Sequence, residues 1–213
     1  MYKCVIFDCD GVLVDSEDLS NQTILKMLWE LDIPMTEALA IDVFTGRALS
    51  KNLAWIEDYF KVNLPDNFES EYRRRSFEAF KNHLKPVAGV QQLLKRLVLP
   101  KCVASSGPIN KMELNLSTTG LLGYFNGNLF SCYEINSWKP EPDIFLHAAK
   151  EMGFQPHQCV VIEDSEPGIK AAQAGGFKVY AYKNAYNKKL LDKLDIPVIE
   201  DMNKLDEILG LRH

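Results

Sequence analysis

Short apolar runs recur along the chain: CVIF at Cys4–Phe7, CVA at Cys102–Ala104, NLF at Asn128–Phe130, CVVI at Cys159–Ile162 and VYAY at Val179–Tyr182. They are too short for helices and rich in β-branched or aromatic residues, so each predicts a strand. Between the later runs the period changes. Val90, Leu93, Leu94 and Leu97 form an i, i+3, i+4, i+7 stripe that predicts a helix over 87–97. Similar patterns predict helices over 143–152 and 168–175. Continuous apolar strands alternating with helices predict an α/β fold, a doubly wound parallel sheet covered on both faces.

One gap breaks this rhythm. From about Ser16 to about Leu84 no buried strand is evident, and three amphipathic helices are expected instead. Ile24, Met27, Leu28 and Leu31 mark the first, Leu49, Leu53, Ile56 and Phe60 the second, and Phe68, Tyr72, Phe77 and Phe80 the third. Pro34, Gly46, Pro65 and Pro86 punctuate them. The pattern predicts a core domain over 1–15 and 85–213, with a small helical cap domain inserted over 16–84.

In an open parallel sheet, ligands bind beyond the carboxyl ends of the strands. Asp8 and Asp10 follow the first run; Ser105, Ser106 and Gly107 follow the second. The third is followed by SWKPEPD, with Lys139, and the fourth by Glu163, Asp164 and Ser165. Taken singly, each has a plain structural reading. A DxD can be a turn, Ser-Ser-Gly and EDS can cap helices, and a lysine before proline can sit in solvent. Their common edge points instead to phosphate chemistry with a hard cation. Carboxylates hold Mg²⁺, which favours an octahedron of oxygens and keeps several waters. Asp8 could be both ligand and attacking group, Glu163 and Asp164 could hold the metal, and Lys139 with Ser105 and the Ser106 amide could balance charge on the transferring group. Asp10 could move protons. Cys9, between the two aspartates, is expected to face the core.

A net charge of −5 argues against a general nucleic-acid binder. The one basic run, Arg73–Arg75, lies in a helical pattern and reads as a solvated face. Five cysteines with no CxxC spacing suit a reduced, cytoplasmic setting. No signal-like segment precedes the first strand, and no run approaches the roughly 20 apolar residues of a membrane-spanning helix.

DCDGVLVDSE, VASSGP, WKPEPD and VIEDSEPGIKAAQAGG resemble, in order and spacing, the four motifs of the haloacid dehalogenase superfamily. The likeness is nearest to its β-phosphoglucomutase and phosphogluconate-phosphatase-like branch. It implies a core of strand order 3-2-1-4-5 with an α-helical cap, acting with Mg²⁺ on a small phosphorylated metabolite, and a monomer suits it. By motif, Asp8 resembles the nucleophile and Asp10 the acid/base, whose backbone carbonyl also meets the metal. Ser105 and Lys139 resemble the phosphate binders, and Asp164 the main later metal ligand with Glu163 beside it. Arg47, in TGR, and Lys111 are further candidates for substrate contacts. One departure stands out: Asp18–Asn21 contains no histidine where many relatives, including the mutases, carry one. A sugar-phosphate phosphatase is therefore expected ahead of a phosphoglucomutase-type isomerase or a non-enzymatic phosphoacceptor domain.

Overall fold

The computed structural model describes residues 2–44 and 49–210. Strands β1 (Cys4–Phe7), β2 (Lys101–Ser105), β3 (Leu129–Ser131), β4 (Cys159–Glu163), β5 (Lys178–Tyr182) and β6 (Val198–Ile199) form one sheet. Its order is β3-β2-β1-β4-β5-β6, and every pairing is parallel. The five expected strands are present, each longer than or shifted slightly from its apolar run apart from β1. The sixth is a two-residue edge strand, too short to carry a sequence period.

Both faces are buried. Val5, Phe7, Val103, Val160 and Ile162 lie in one apolar cluster with Leu93 of helix α5 (Val90–Arg96) and Met112 and Leu116 of α6 (Ile109–Thr118). Cys4, Ile6, Ala104 and Val161 lie in another with Phe145 and Ala148 of α8 (Asp143–Glu151) and Ile169 and Ala172 of α9 (Glu166–Ala174). This two-sided burial is why the strands read as unbroken apolar runs rather than alternating ones. The one-turn α7 (Cys132–Ile135) follows β3 directly. All five cysteines are buried and unpaired as disulfides, and Cys9 packs with Val5 and Phe7 as alternation requires.

Among the described residues, four helices fill the insertion between β1 and α5: α1 (Glu17–Glu30), α2 (Glu37–Phe44), α3 (Leu49–Phe60) and α4 (Phe68–His83). They share an apolar cluster of their own, including Leu28, Met35, Phe44, Ile56 and Phe68. Helix α2 has no counterpart among the sequence expectations. It is the shortest of the four and buries only Ala40 and Phe44, so its stripe is faint. The chain leaves and re-enters the sheet side by side: Asp15 N donates to Lys85 O at 3.0 Å, and Val87 N to Leu13 O at 3.0 Å.

The remaining helices, α10 (Lys188–Leu191) and α11 (Leu205–Leu209), flank β6 in sequence. Going outward from β1, the chain runs to β2 and β3 on one side and then crosses to β4 on the other. The crevice beyond β1 and β4 is the topological switch point of the sheet, where such folds bind ligands.

Candidate active site

Beyond β1, β2 and β4 a cavity of about 820 Å³ opens between the sheet and the helical insertion. Asp8, Asp10, Glu163 and Asp164 line it from the strand ends. Ser105, Ser106, Lys111 and Lys139 complete its floor. Arg47 lies outside the described residues.

Asp8, Glu163 and Asp164 are buried, and one carboxylate oxygen from each falls within 4.8 Å of the others. Lys139 Nζ sits among them. It donates to Asp8 Oδ1, to Glu163 Oε1 at 2.7 Å and to Ala104 O at 3.3 Å. Three carboxylates thus face one ammonium, an excess of negative charge in a desolvated place. Burial, with Glu163 nearby, pushes the Asp8 carboxyl up to about 7 despite the opposing pull of Lys139. Burial and the charges of Glu163 and Asp8 raise Asp164 well above the usual carboxylate range. The same neighbours hold Lys139 protonated against its own burial.

Asp10 occupies a different setting. Lys111 Nζ donates to its Oδ2 at 2.7 Å, and Ser16 Oγ and Asn115 Nδ2 donate to its Oδ1 at 2.7 and 3.2 Å. Burial would raise its pKa, but Lys111, together with the Ser16 hydrogen bond and the charge of Lys139, outweighs burial and lowers it. Lys111 therefore meets a carboxylate in this structure.

Local chain geometry builds this arrangement. Gly11 has φ +77°, and a Cβ there would run into the Asp164 carboxylate. A Cβ on Gly168 would overlap the carboxylate of Glu163. Glu163 Oε2 accepts from the backbone N–H groups of Asp164 and Ser165, both at 2.6 Å, and from Ser165 Oγ at 3.0 Å. Ser165 Oγ in turn caps α9 by accepting from Gly168 N at 3.2 Å. Ser105 Oγ accepts from Gly107 N at 3.0 Å, fixing the turn after β2.

Several contributors escaped the sequence reading. Asn184 Nδ2 donates to Asp164 Oδ2 at 2.7 Å, and Asn187 Nδ2 to Asp164 O at 2.9 Å. Both follow β5, so the exit of the fifth strand carries the same positional signal as the exits of the other four. Ser16, within the DSE that ends the first motif, and Asn115 on α6 also escaped notice. Glu17 lines the cavity too, and burial beside Asp10 raises its carboxyl to about 7.

The basic run needs a correction. Arg74 is exposed and pairs with Glu71, but Arg73 lines the cavity. Arg73 Nη2 donates to Glu69 Oε1 at 2.6 Å and to Tyr133 Oη at 3.3 Å, linking α4 to the residues after β3. Successive helix positions fan out by about 100°, so one of three consecutive arginines can reach the site while its neighbours stay outside.

Residues 2–176 match the model of the haloacid dehalogenase-like hydrolase family. The chain belongs to that family. As a haloacid dehalogenase-like hydrolase, it is 32% identical over 191 residues to 6-phosphogluconate phosphatase of Escherichia coli, covering 89% of this chain and 86% of the relative. It is 28% identical over 219 residues to the phosphorylated carbohydrates phosphatase of Thermotoga maritima, covering 97% and 100%. Among solved structures, a haloacid dehalogenase-like protein of Agrobacterium tumefaciens superposes with a TM-score of 0.88 at 29% identity, over 99% of both chains. The hydrolase is an enzyme of the phosphatase type, and none of its helices among the described residues is long and apolar enough to cross a membrane.

Proposed function

We propose that this hydrolase is a Mg²⁺-dependent phosphatase of small sugar-phosphate-type metabolites, working through a phosphorylated Asp8. The observation that carries the reading is the split between its two motif aspartates. Asp8 lies in the acidic cluster with Glu163 and Asp164, whereas Asp10 lies apart on Lys111, Ser16 and Asn115.

The residues fit a small divalent cation. Asp8, Glu163 and Asp164 offer only oxygen donors, and once all three are ionised their charge exceeds that of Lys139 by two. Such donors select a hard ion such as Mg²⁺. The Asp10 carbonyl would add a further oxygen. When bound, Mg²⁺ offsets the repulsion between the Asp8 carboxylate and a phosphate dianion.

An Asp8 oxygen forms a bond to phosphorus as the ester oxygen departs, and Lys139 and Ser105 hold the charge on the transferring oxygens. The Ser106 amide would assist them. Asp10 supplies the proton that the leaving oxygen takes. Lys111 keeps Asp10 ionised in the free protein. A bound phosphate draws Lys111 toward itself, weakening that hold so that Asp10 can carry a proton. Asp10 then takes a proton from the water that attacks the acyl phosphate, returning Asp8 and releasing inorganic phosphate.

Segment 16–84 acts as the cap over this site, screening the acyl phosphate from bulk water. Arg47 belongs to the same segment and is proposed as a substrate contact. No histidine lines the cavity among the described residues, which favours hydrolysis over a mutase that must hold a bisphosphate intermediate. The test is phosphate release across a panel of sugar phosphates, beside an isomerase assay primed with a sugar bisphosphate. Release that needs Mg²⁺ and no primer is expected. Isomerisation without net release would overturn the reading.

A further inference from the structure

Three helices of the insertion carry a polar residue where their amphipathic pattern calls for an apolar one. On α1, Asn21 continues the buried stripe of Ile24, Leu25 and Leu28. On α3, Asn52 lies one turn before buried Ile56, and on α4, Ser76 lies one turn before buried Phe80. The three are 5%, 6% and 3% exposed. All three line the cavity that holds Asp8 and Asp10. Among the described residues, Asn21 Nδ2, Asn52 Oδ1 and Ser76 Oγ each lack a hydrogen-bond partner.

A buried polar atom left unpaired costs stability, and such atoms in a native protein are few. Three orphans on three different helices, converging on one cavity, are placed there for something that enters it. Their chemistry narrows what that is. Asn21 presents a donor, Asn52 an acceptor and Ser76 a hydroxyl that can be either. An anion would meet the Asn52 carbonyl oxygen unfavourably, and an apolar group would leave all three unpaired. A chain of neutral hydroxyls, each both donor and acceptor, pairs with all of them.

We infer that Asn21, Asn52 and Ser76 form a hydroxyl-reading subsite that selects a polyhydroxylated leaving group on the phosphate ester. The inference rests on the phosphatase reading and sharpens its substrate class. While the cavity is open to solvent, water can serve the three orphans. A substrate that expels the water must supply the same bonds, and an ester lacking hydroxyls cannot.

The experiment compares kcat/KM for a hexitol monophosphate and for n-hexyl phosphate, two primary esters of the same chain length. It is run on the wild-type protein, Asn52→Leu and Ser76→Ala, with the Tm of each variant recorded. The wild type should prefer the hexitol ester by at least about 100-fold, as sites built to bond a hydroxyl reject its absence. Each variant should lower that ratio by about tenfold. Tm should hold or rise, because an apolar side chain replaces an unpaired buried polar atom. A wild-type protein that hydrolyses both esters with a ratio near one overturns the subsite while leaving the phosphatase reading intact. So does a ratio unchanged in both variants, whatever their Tm. A protein that hydrolyses neither ester overturns the phosphatase reading and the subsite together.

Discussion

Asp8 and Asp10 stand two residues apart and are held by different partners, so equal substitutions should fail differently. Asp8→Asn removes the proposed nucleophile and one member of the acidic cluster. It should lower turnover by at least about a thousandfold while the far-UV spectrum stays native. Substantial remaining phosphate release would sink the covalent route. Asp10→Asn keeps Asp8 and removes the proposed proton carrier, whose loss costs typically about 100- to 10,000-fold. Its deficit should be smaller for the first step on a nitrophenyl ester, whose leaving group needs little help. Phosphorylated Asp8 should then accumulate, visible as a mass shift of the intact protein. That both aspartates, with Ser105, Lys139, Glu163 and Asp164, line one cavity was legible from sequence because each ends or closely follows an apolar strand or lies in the stretch after one. Asn115 was not. It lies mid-helix on α6, where a polar residue reads as solvent-facing until tertiary packing turns it toward Asp10.

Helix α9 shows how an element serves the site. Its start is fixed by the Ser165 cap, and its first turn passes close enough to Glu163 that Gly168 has no room for a Cβ. In an ordinary helix Gly→Ala gains about 1 kcal/mol. Here Gly168→Ala should reverse that sign, since the methyl would displace a carboxylate held by Lys139, two backbone N–H groups and Ser165 Oγ. A lower Tm together with a higher Mg²⁺ concentration for half-maximal activity is the expected pair of effects. A stabilised variant with an unaltered Mg²⁺ requirement would contradict it. Sequence patterning found α9 as a helix but gave no hint of this contact, because crowding between a helix and the preceding strand end leaves no periodic trace. The same limit hid α2, whose burial depends on neighbours in the insertion rather than on a stripe of its own. It also hid the facing of Asn21, Asn52 and Ser76, which reads as three lapses in pattern until the helices are assembled around one cavity.

At the scale of the whole molecule, the acidic cluster makes stability depend on pH, and the proposed metal should modulate that dependence. The carboxyls of Asp8 and Glu17 are raised to about 7, and burial also raises that of Asp164 well above its ordinary value. Between about pH 4 and 7 the folded metal-free protein therefore holds protons that the unfolded chain has released. Stability must fall as pH rises through that window, since the unfolded state binds fewer protons there. Their contribution is fully present below the unfolded carboxylate range and is lost as pH passes the folded values. Asp10 works the other way. Its lowered pKa adds stability above its ordinary carboxylate range, and that is lost only as pH falls below it, outside the window. A divalent cation competes for the same oxygens as the protons on Asp8 and Asp164, so its affinity should climb as they ionise. In EDTA, Tm should drop from pH 5.5 to pH 8. With saturating Mg²⁺ the drop should shrink, so that the Tm gained from the metal is larger at pH 8 than at pH 5.5. Asp8→Asn removes one of the competing groups and should flatten both the pH slope and the gain. An equal Mg²⁺ effect at the two pH values would mean that the cation binds away from the cluster of Asp8, Glu163 and Asp164.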